Sequence, residues 1–428
     1  MYSIPERTEE KRLMITVKEA LNHILGSISP VGLEHVNILS ALGRVIGEDI
    51  HASRNIPPRA NSAMDGYALK SEDTIGAGPE DPVILKIIED IPAGYIPQKT
   101  VSCGEASRIM TGAPIPDGAD AVVMEEETKF NDTDVRIYSK IAAGQNVRYA
   151  GEDVCEGELI ISRGIPIRPA EVGMLAALGR SFVKVYRKPL VAIIATGDEL
   201  VDIDNAASPG KIVSSNSYSL AAQVIECGGI PLQLGIARDN IDDLTEKFRE
   251  ALHADVIVSS AGVSAGNYDF VKDVMEAIGI NIAFWRIAER PGRPMAFGSK
   301  EGKPVFGLPG NPVSSMITFE EYVRPAILKM TGHQNVFRRK ITARITEDIT
   351  TKKGIRYFLR GCITKQGQEF TVRTTGEQGS GILKSMVFAN AIIVIPEDVD
   401  FVKAGSDVAV QLIDNSLDFR KDPEYLGD

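Results

Sequence analysis

Four acids and three arginines mark where this chain can do chemistry: Asp198, Glu199, Asp239 and Asp269, with Arg286, Arg290 and Arg293. All lie in short stretches between Leu190 and Met330 that are rich in glycine, aspartate or proline. Guanidinium forks match tetrahedral oxyanions, and carboxylates accept paired N–H donors or hold a hard cation. A turn from Gly262 to Gly266 adds backbone N–H groups. The competing reading is that loop acids cap helices, and for Asp239 and Asp269 taken singly it is the stronger one. It does not account for acids and arginines gathering in one set of loops.

Those loops need a scaffold, and the residues between them supply one. Leu190-Val-Ala-Ile-Ile-Ala195 has no polar alternation and reads as a strand buried on both faces. It ends in Thr196-Gly-Asp-Glu-Leu200. Further strands are expected at Ile230 to Ile236, Asp255 to Ser260, Ile282 to Ile287 and from Lys303. Between them, Ser215/Asn216 and Gly228-Gly229 bracket one helix, and Arg238-Asp239-Asn240 caps a second with Ile241, Leu244, Phe248 and Leu252 at helical spacing. A third closes at Gly279, and Asn311-Pro312 opens a long fourth. Strands alternating with helices give an open, mostly parallel α/β sheet, and ligands bind at the carboxyl edge of such a sheet.

A chain of 428 residues exceeds what one core holds, so several domains are expected. With 47 Lys and Arg against 58 Asp and Glu, the net charge is −11, which argues against bulk binding of nucleic acid or a membrane surface. Any anionic ligand must be held locally, by arginines, helix N-termini, backbone nests or a bound cation. No apolar run approaches the ~20 residues of a membrane span, and Met1 to Lys11 is too polar for a secretory signal. The four cysteines, Cys103, Cys155, Cys227 and Cys362, are scattered, so neither disulfides nor a zinc site is expected and a reducing cytoplasm fits. No P-loop motif occurs.

Outside the 190–330 region, Thr16-Val-Lys-Glu19 is a capping box opening a helix that Gly26 ends. Val36 to Ile50 and Ile160 to Val185 would form a small linking domain around a mostly β insertion. At the insertion's head, Asn61-Ser-Ala-Met-Asp-Gly-Tyr67 reads from its residues alone as a tight turn in which Asp65-Gly66 supplies a positive φ. Thr111-Gly112 and Gly151-Glu-Asp153 are similar polar loop tips. From Phe337 onward, alternating runs predict a β-barrel or sandwich of about five strands, with Arg356, Arg360 and Gly379-Ser380 as candidate contacts. The two arginines read more readily as solvated charges.

Several of these stretches carry a resemblance. Thr196-Gly-Asp-Glu-Leu200, Ser260-Ala-Gly-Val-Ser264, Arg290-Pro-Gly-Arg-Pro294 and Gly307-Leu-Pro-Gly-Asn-Pro-Val-Ser314 are similar to the signature loops of the molybdopterin molybdenumtransferase family. So are Asn61 to Tyr67, Arg108 to Ala113, Gly118 to Glu125 and Gly151 to Asp153, all in the family's order. Two departures stand out. Ser260-Ala261-Gly262 replaces a serine-glycine-glycine, so that the Ala261 Cβ narrows backbone approach to a phosphate. Arginines at 286, 290 and 293 stand where lysines are frequent.

The resemblance implies insertion of molybdate into adenylated molybdopterin with release of AMP, assisted by Mg²⁺ on Asp239 and Asp269. It implies catalytic roles for Asp65, Asp153, Glu199, Asp239 and Asp269. Substrate contacts would come from Thr111, Asp198, Ser260, Gly262, Ser264, Arg286, Arg290, Arg293, Pro309, Pro312, Arg360 and Ser380. Asp198 or Glu199 can accept the paired donors of a pterin ring. Domains are expected at 1–26 with 186–332 (molybdopterin-binding α/β), 27–50 with 155–185 (linking), 51–154 (β-rich insertion) and 333–428 (β-barrel). A cytoplasmic homodimer with sites shared between chains follows, with a molybdopterin adenylyltransferase as a further partner. The alternatives are that adenylyltransferase itself, whose single domain resembles residues 190–330, and a non-catalytic scaffold on the same fold.

Overall fold

Leu190–Thr196 forms a strand buried along nearly its whole length, as its unbroken apolar run requires. The computed structural model that contains it describes residues 14–205, 209–261, 270–367 and 369–417. Leu190–Thr196 pairs in parallel with Ile230–Ala237 on one side and Val256–Ser260 on the other. Lys303–Leu308, Pro294–Lys300, Asn281–Ile287 and the edge strand Met14–Ile15 complete a seven-stranded sheet. Pro294–Lys300 runs antiparallel to both its neighbours. The sequence reading leaves that strand unassigned, because it opens on proline and contains a glycine, both unfavourable in strand interiors.

The chain runs from Leu190–Thr196 outward to Ile230–Ala237 and then back across to Val256–Ser260. The order therefore reverses between two adjacent strands, and a crevice opens outside their carboxyl ends at that point. Thr196 and Ser260, the last residues of the two strands, stand there. Helices Ser215–Glu226, Ile241–Ala251 and Phe270–Ala277 cover the faces. A continuous helical run from Pro312 to Met330 passes through a π-helical turn at Phe319–Val323.

Helix Val17–Ser27 opens with the expected capping box, Glu19 N donating to Thr16 Oγ1 at 3.2 Å and Thr16 N to Glu19 Oε2 at 2.8 Å. Its Val17, Ala20 and Ile24 enter the same core as Val191, Phe306 and Ile327. Phe284, Phe297 and Phe306 meet in that core with ring centroids 5.7 and 5.1 Å apart. Each such ring contributes roughly 1.5–3 kcal/mol by leaving water.

Past Phe337 the expected barrel is present. Arg356–Gln366, Glu369–Thr374, Lys340–Ile345, Asp407–Leu412 and Ala391–Ile395 pair in turn, and the last pairs back to the first. Tyr357, Ile363, Val372, Ile393 and Val410 fill its interior. Phe358 and Ile392 point outward into the α/β core, and Glu289–Arg290 adds a short parallel ladder to the start of Arg356–Gln366. Barrel and sheet thus belong to one compact unit, residues Met1–His35 and Lys184–Asp428.

The second unit spans Val36–Val183. It holds a six-stranded sheet in the order Ala121–Met124, Gly66–Leu69, Glu105–Ile109, Val83–Ile91, Asp134–Ile137, Thr128–Phe130. Smaller ladders and the helix Pro169–Ala177 complete it. Among the described residues no helix is long and apolar enough to cross a membrane.

Candidate active site

Two adjoining cavities lie at the carboxyl edge of the seven-stranded sheet. The smaller, about 620 Å³, is lined by Thr196, Glu199, the Ser214–Asn216 helix start, Ser260, Ala261 and the 309–312 turn. The larger, about 860 Å³, lies between the Glu289–Pro294 loop and the barrel, and Arg290, Arg293, Arg360 and Ser380 line it. Pro294, Pro309 and Asn311 belong to both linings.

The acids sit at the end of Leu190–Thr196. Gly197 has φ +145°, a backbone conformation that side chains rarely adopt, and the Glu199 carboxylate folds back into the space that a Cβ would take, 2.5 Å from its Oε2. Asp198 N points at Asp239 Oδ2 and Asp239 N at Asp198 Oδ1, each at 3.4 Å. Burial pushes the Asp239 carboxyl above its ordinary value, and the Asp198 and Glu199 charges push the same way. Asp239 is not the helix cap: Asn240 Oδ1 accepts from Asp243 N at 2.9 Å and caps Ile241–Ala251. Lys211 Nζ donates to the Asp198 carbonyl. Asp269, Gly262 and Ser264 lie outside the described residues.

At the end of Val256–Ser260, Ala261 has φ +81°, a left-handed conformation costing an alanine roughly 1 kcal/mol or more. A Cβ on Gly310 would come within 3.0 Å of the Ala261 Cβ, so the turn passes close over that methyl. Asn216, which the sequence reading uses only to start a helix, bridges the two sides, with Nδ2 2.7 Å from Ser260 Oγ and 2.8 Å from the Gly310 carbonyl. Asn311 is at the N-cap position of Pro312–Thr318 but makes no side-chain cap. Its Nδ2 instead donates to Ser380 Oγ at 3.1 Å, and Val313 N donates to the Ser380 carbonyl at 3.1 Å. The barrel's 379–380 loop is thereby anchored on the helix start, with Pro312 in the smaller cavity's wall.

Arg360 corrects the sequence reading most sharply. It is not a solvated charge but 0% exposed. Strand alternation places it on the same outward face as Phe358, toward the α/β core. Its Nε donates to Ser385 Oγ at 3.0 Å and its Nη2 to the Gly379 carbonyl at 3.1 Å, while Nη1 has no partner. Burial lowers its pKa to about 10. Arg356, the other arginine read as solvated, pairs with Glu397 at 2.7 Å. Arg290 and Arg293 line the larger cavity; Arg286, in register with Met14 and Pro294 on its strand, lines neither.

Glu289, which nothing in the sequence singled out, is 1% exposed beneath this loop. Tyr322, from the π-helical turn, donates its hydroxyl to Glu289 Oε2, and burial raises the Glu289 pKa to about 8. Glu321, from the same turn, is raised to about 8 for the same reason.

In the Val36–Val183 unit, Asp65 Oδ1 accepts from both Thr111 N and Thr111 Oγ1 at 2.7 Å, which holds the Asp65 carboxyl below its ordinary value. The predicted positive-φ turn at Asp65-Gly66 is replaced by a strand. Gly66 is glycine because a Cβ there would stand 1.8 Å from the Val123 carbonyl oxygen. Asp153 is exposed in the loop after Gly151, its backbone N donating to the Ile56 carbonyl at 3.0 Å.

Comparison with known proteins covers nearly the whole chain. Residues 15–179 match the family described as MoeA N-terminal region (domain I and II), 192–329 the probable molybdopterin binding domain, and 342–413 the MoeA C-terminal region (domain IV). A molybdopterin molybdenumtransferase of Staphylococcus epidermidis is 35% identical over 95% of this chain and 97% of its own length. Molybdopterin molybdenumtransferase 2 of Mycobacterium tuberculosis is 38% identical over 88% of this chain and 94% of its own. The crystal structure of a molybdopterin biosynthesis moeA protein from Pyrococcus horikoshii OT3 superposes with a TM-score of 0.79 at 34% identity, covering 93% of this chain and all of that one.

Proposed function

Because the chain belongs to the molybdopterin molybdenumtransferase family and is a transferase of molybdenum, we propose that its two cavities divide the substrates between them. Adenylated molybdopterin occupies the smaller one and presents its dithiolene toward the larger. Molybdate is held in the larger by Arg290, Arg293, Arg360 and Ser380, and AMP leaves as the metal enters. The observation that carries this reading is Arg360. A fully buried guanidinium that meets no carboxylate among the described residues, with one nitrogen unpartnered at a cavity shared with two more arginines, asks for an anion from outside.

The other roles follow from the donor sets. Glu199 and Asp198 offer acceptors to the pterin's ring N–H and amino group. Asp239 carries a carboxylate disfavoured by burial and by two neighbouring acids, and it would be the described residue that holds a divalent cation. Among the described residues no three His, Cys, Asp or Glu side chains converge as a metal cage, and Asp269, the other acid the resemblance assigns to the cation, lies outside them. Mg²⁺ bound there supplies charge neutralisation at the phosphate. Asp65, Thr111 and Asp153 enter as partner-subunit residues of a homodimer, in which two equivalent composite sites form about a two-fold axis. An adenylyltransferase would hand over the adenylated substrate.

The test is molybdate-dependent AMP release. Arg290→Ala removes a charged fork from the metalate site and should weaken the apparent molybdate affinity about 10- to 100-fold. Arg249→Ala, on the Ile241–Ala251 helix, should leave it unchanged. Equal effects would reduce the arginine loop to a solvated face.

A further inference from the structure

Asn216 stands at the second position of the Ser215–Glu226 helix, 8% exposed in the wall of the 620 Å³ cavity. Both hydrogens of its amide nitrogen are committed, one to Ser260 Oγ and one to the Gly310 carbonyl. A carbonyl only accepts, so the amide has one possible orientation, with Oδ1 turned away from Gly310. That Oδ1 is buried without a partner. Ser260, 2% exposed, receives a hydrogen at its oxygen, so its own hydrogen must point away from Asn216. Among the described residues that hydroxyl finds no acceptor.

The surroundings say what it waits for. Ser214 makes no side-chain cap and pairs instead with Ser217 Oγ at 2.7 Å, so the first-turn N–H groups of a twelve-residue helix remain open toward the same cavity. Glu199, the acid in this lining, is folded back against Gly197. Donors therefore gather at the helix start and at Ser260, on one side of the wall. We infer that Asn216 is a positioning residue for the adenylated substrate: it locks the Ser260 hydroxyl as a donor to a phosphate oxygen and ties that strand end to the 309–312 turn. The inference rests on the placement of the adenylate in the smaller cavity. Asn216 acts through Ser260 and Gly310 rather than by touching substrate, which fits its buried and fully committed donors.

AMP and molybdate, each titrated calorimetrically into the full chain, test this. Asn216→Ser and Ser260→Ala should each weaken AMP on the order of ten-fold, the loss of one hydrogen bond to a charged group. The double variant should be no weaker than the poorer single one, because both remove the same directed donor. Molybdate affinity, which reads the other cavity, should fall far less than AMP affinity in either variant, because the Asn311–Ser380 bond still holds the shared turn. Should Asn216→Ser not fold, the uncharged Asn216→Ala is read in its place. Additive losses, or molybdate weakened in step with AMP, would make Asn216 a general structural residue and overturn the proposal. Wild-type protein that binds AMP normally alongside unaffected Asn216 variants would overturn it alone. Wild-type protein that does not bind AMP would overturn it together with the adenylate placement.

Discussion

Arg360→Met should leave the unliganded protein about as stable as wild type while abolishing metalate binding. Arg360 is fully buried, and burial alone lowers its pKa to about 10. A folded value below the unfolded one means that the charge costs stability at every pH below about 10, and that the cost is relieved only as pH rises through that value. The fall is worth roughly 3 kcal/mol, which water in the adjoining cavity reduces to about 1–2 kcal/mol. Against this stand two hydrogen bonds, to Ser385 Oγ and the Gly379 carbonyl, each contributing about 1 kcal/mol. After the change Ser385 still donates to the Ile382 carbonyl at 2.7 Å, and the Gly379 carbonyl still accepts from Ile382 N at 3.3 Å, so neither partner is orphaned. The two sides nearly cancel. Scanning calorimetry should therefore find similar unfolding transitions without ligand. Molybdate at a hundred times its dissociation constant should stabilise wild type by about 2.7 kcal/mol and the variant not at all. A variant destabilised by about 3 kcal/mol or more would place Arg360 in a buried ion pair that the structure does not contain. Equal stabilisation of both proteins by molybdate would remove Arg360 from the metalate site.

Asp239→Asn tests the cation. The raised pKa of Asp239 means that its ionised form costs stability, a cost absent below the ordinary carboxylate value and complete only above the raised one. Mg²⁺ should therefore raise the melting temperature of wild type at neutral pH but little in mild acid, and Asp239→Asn should melt the same with or without Mg²⁺ at both. A pH-independent Mg²⁺ effect retained in the variant would count against Asp239 as a ligand. Asp65→Ala and Asp239→Ala, each inactive alone, test the shared site: after co-refolding, about half of the dimers are mixed and each has one intact composite site, so AMP release should recover to roughly a quarter of wild type. No recovery, with mixed dimers verified by mass spectrometry, would assign both residues to one chain's site.

Elements whose cause is local were readable in the sequence. The apolar run at Leu190–Thr196 and the Thr16/Glu19 capping box each follow from a few adjacent residues, and the structure contains both. What sequence could not reach were properties fixed by distant chain. Arg360 reads as an alternating strand residue with solvent on one face, and only the docking of that face on the α/β core buries it. Asp65-Gly66 reads as a turn because aspartate before glycine usually is one, whereas here the glycine is demanded by the Val123 carbonyl 57 positions on. Asn311 reads as a helix cap, but the Ser380 hydroxyl competes successfully for its amide.

Ala261, the departure from the family's loop that sequence alone exposed, also owes its surroundings to distant chain. The methyl does crowd a backbone, but the backbone is that of Gly310, in the turn that closes the smaller cavity. Opposite the left-handed alanine at 261, a Cβ at 310 would stand 3.0 Å from the Ala261 methyl, so the turn would have to give by a few tenths of an ångström. Moving that turn would pull the Gly310 carbonyl from Asn216 and, through Asn311, shift Ser380 beside Arg360. The identity of residue 310 therefore sets the spacing of both cavities at once, because the 309–312 turn is their common wall.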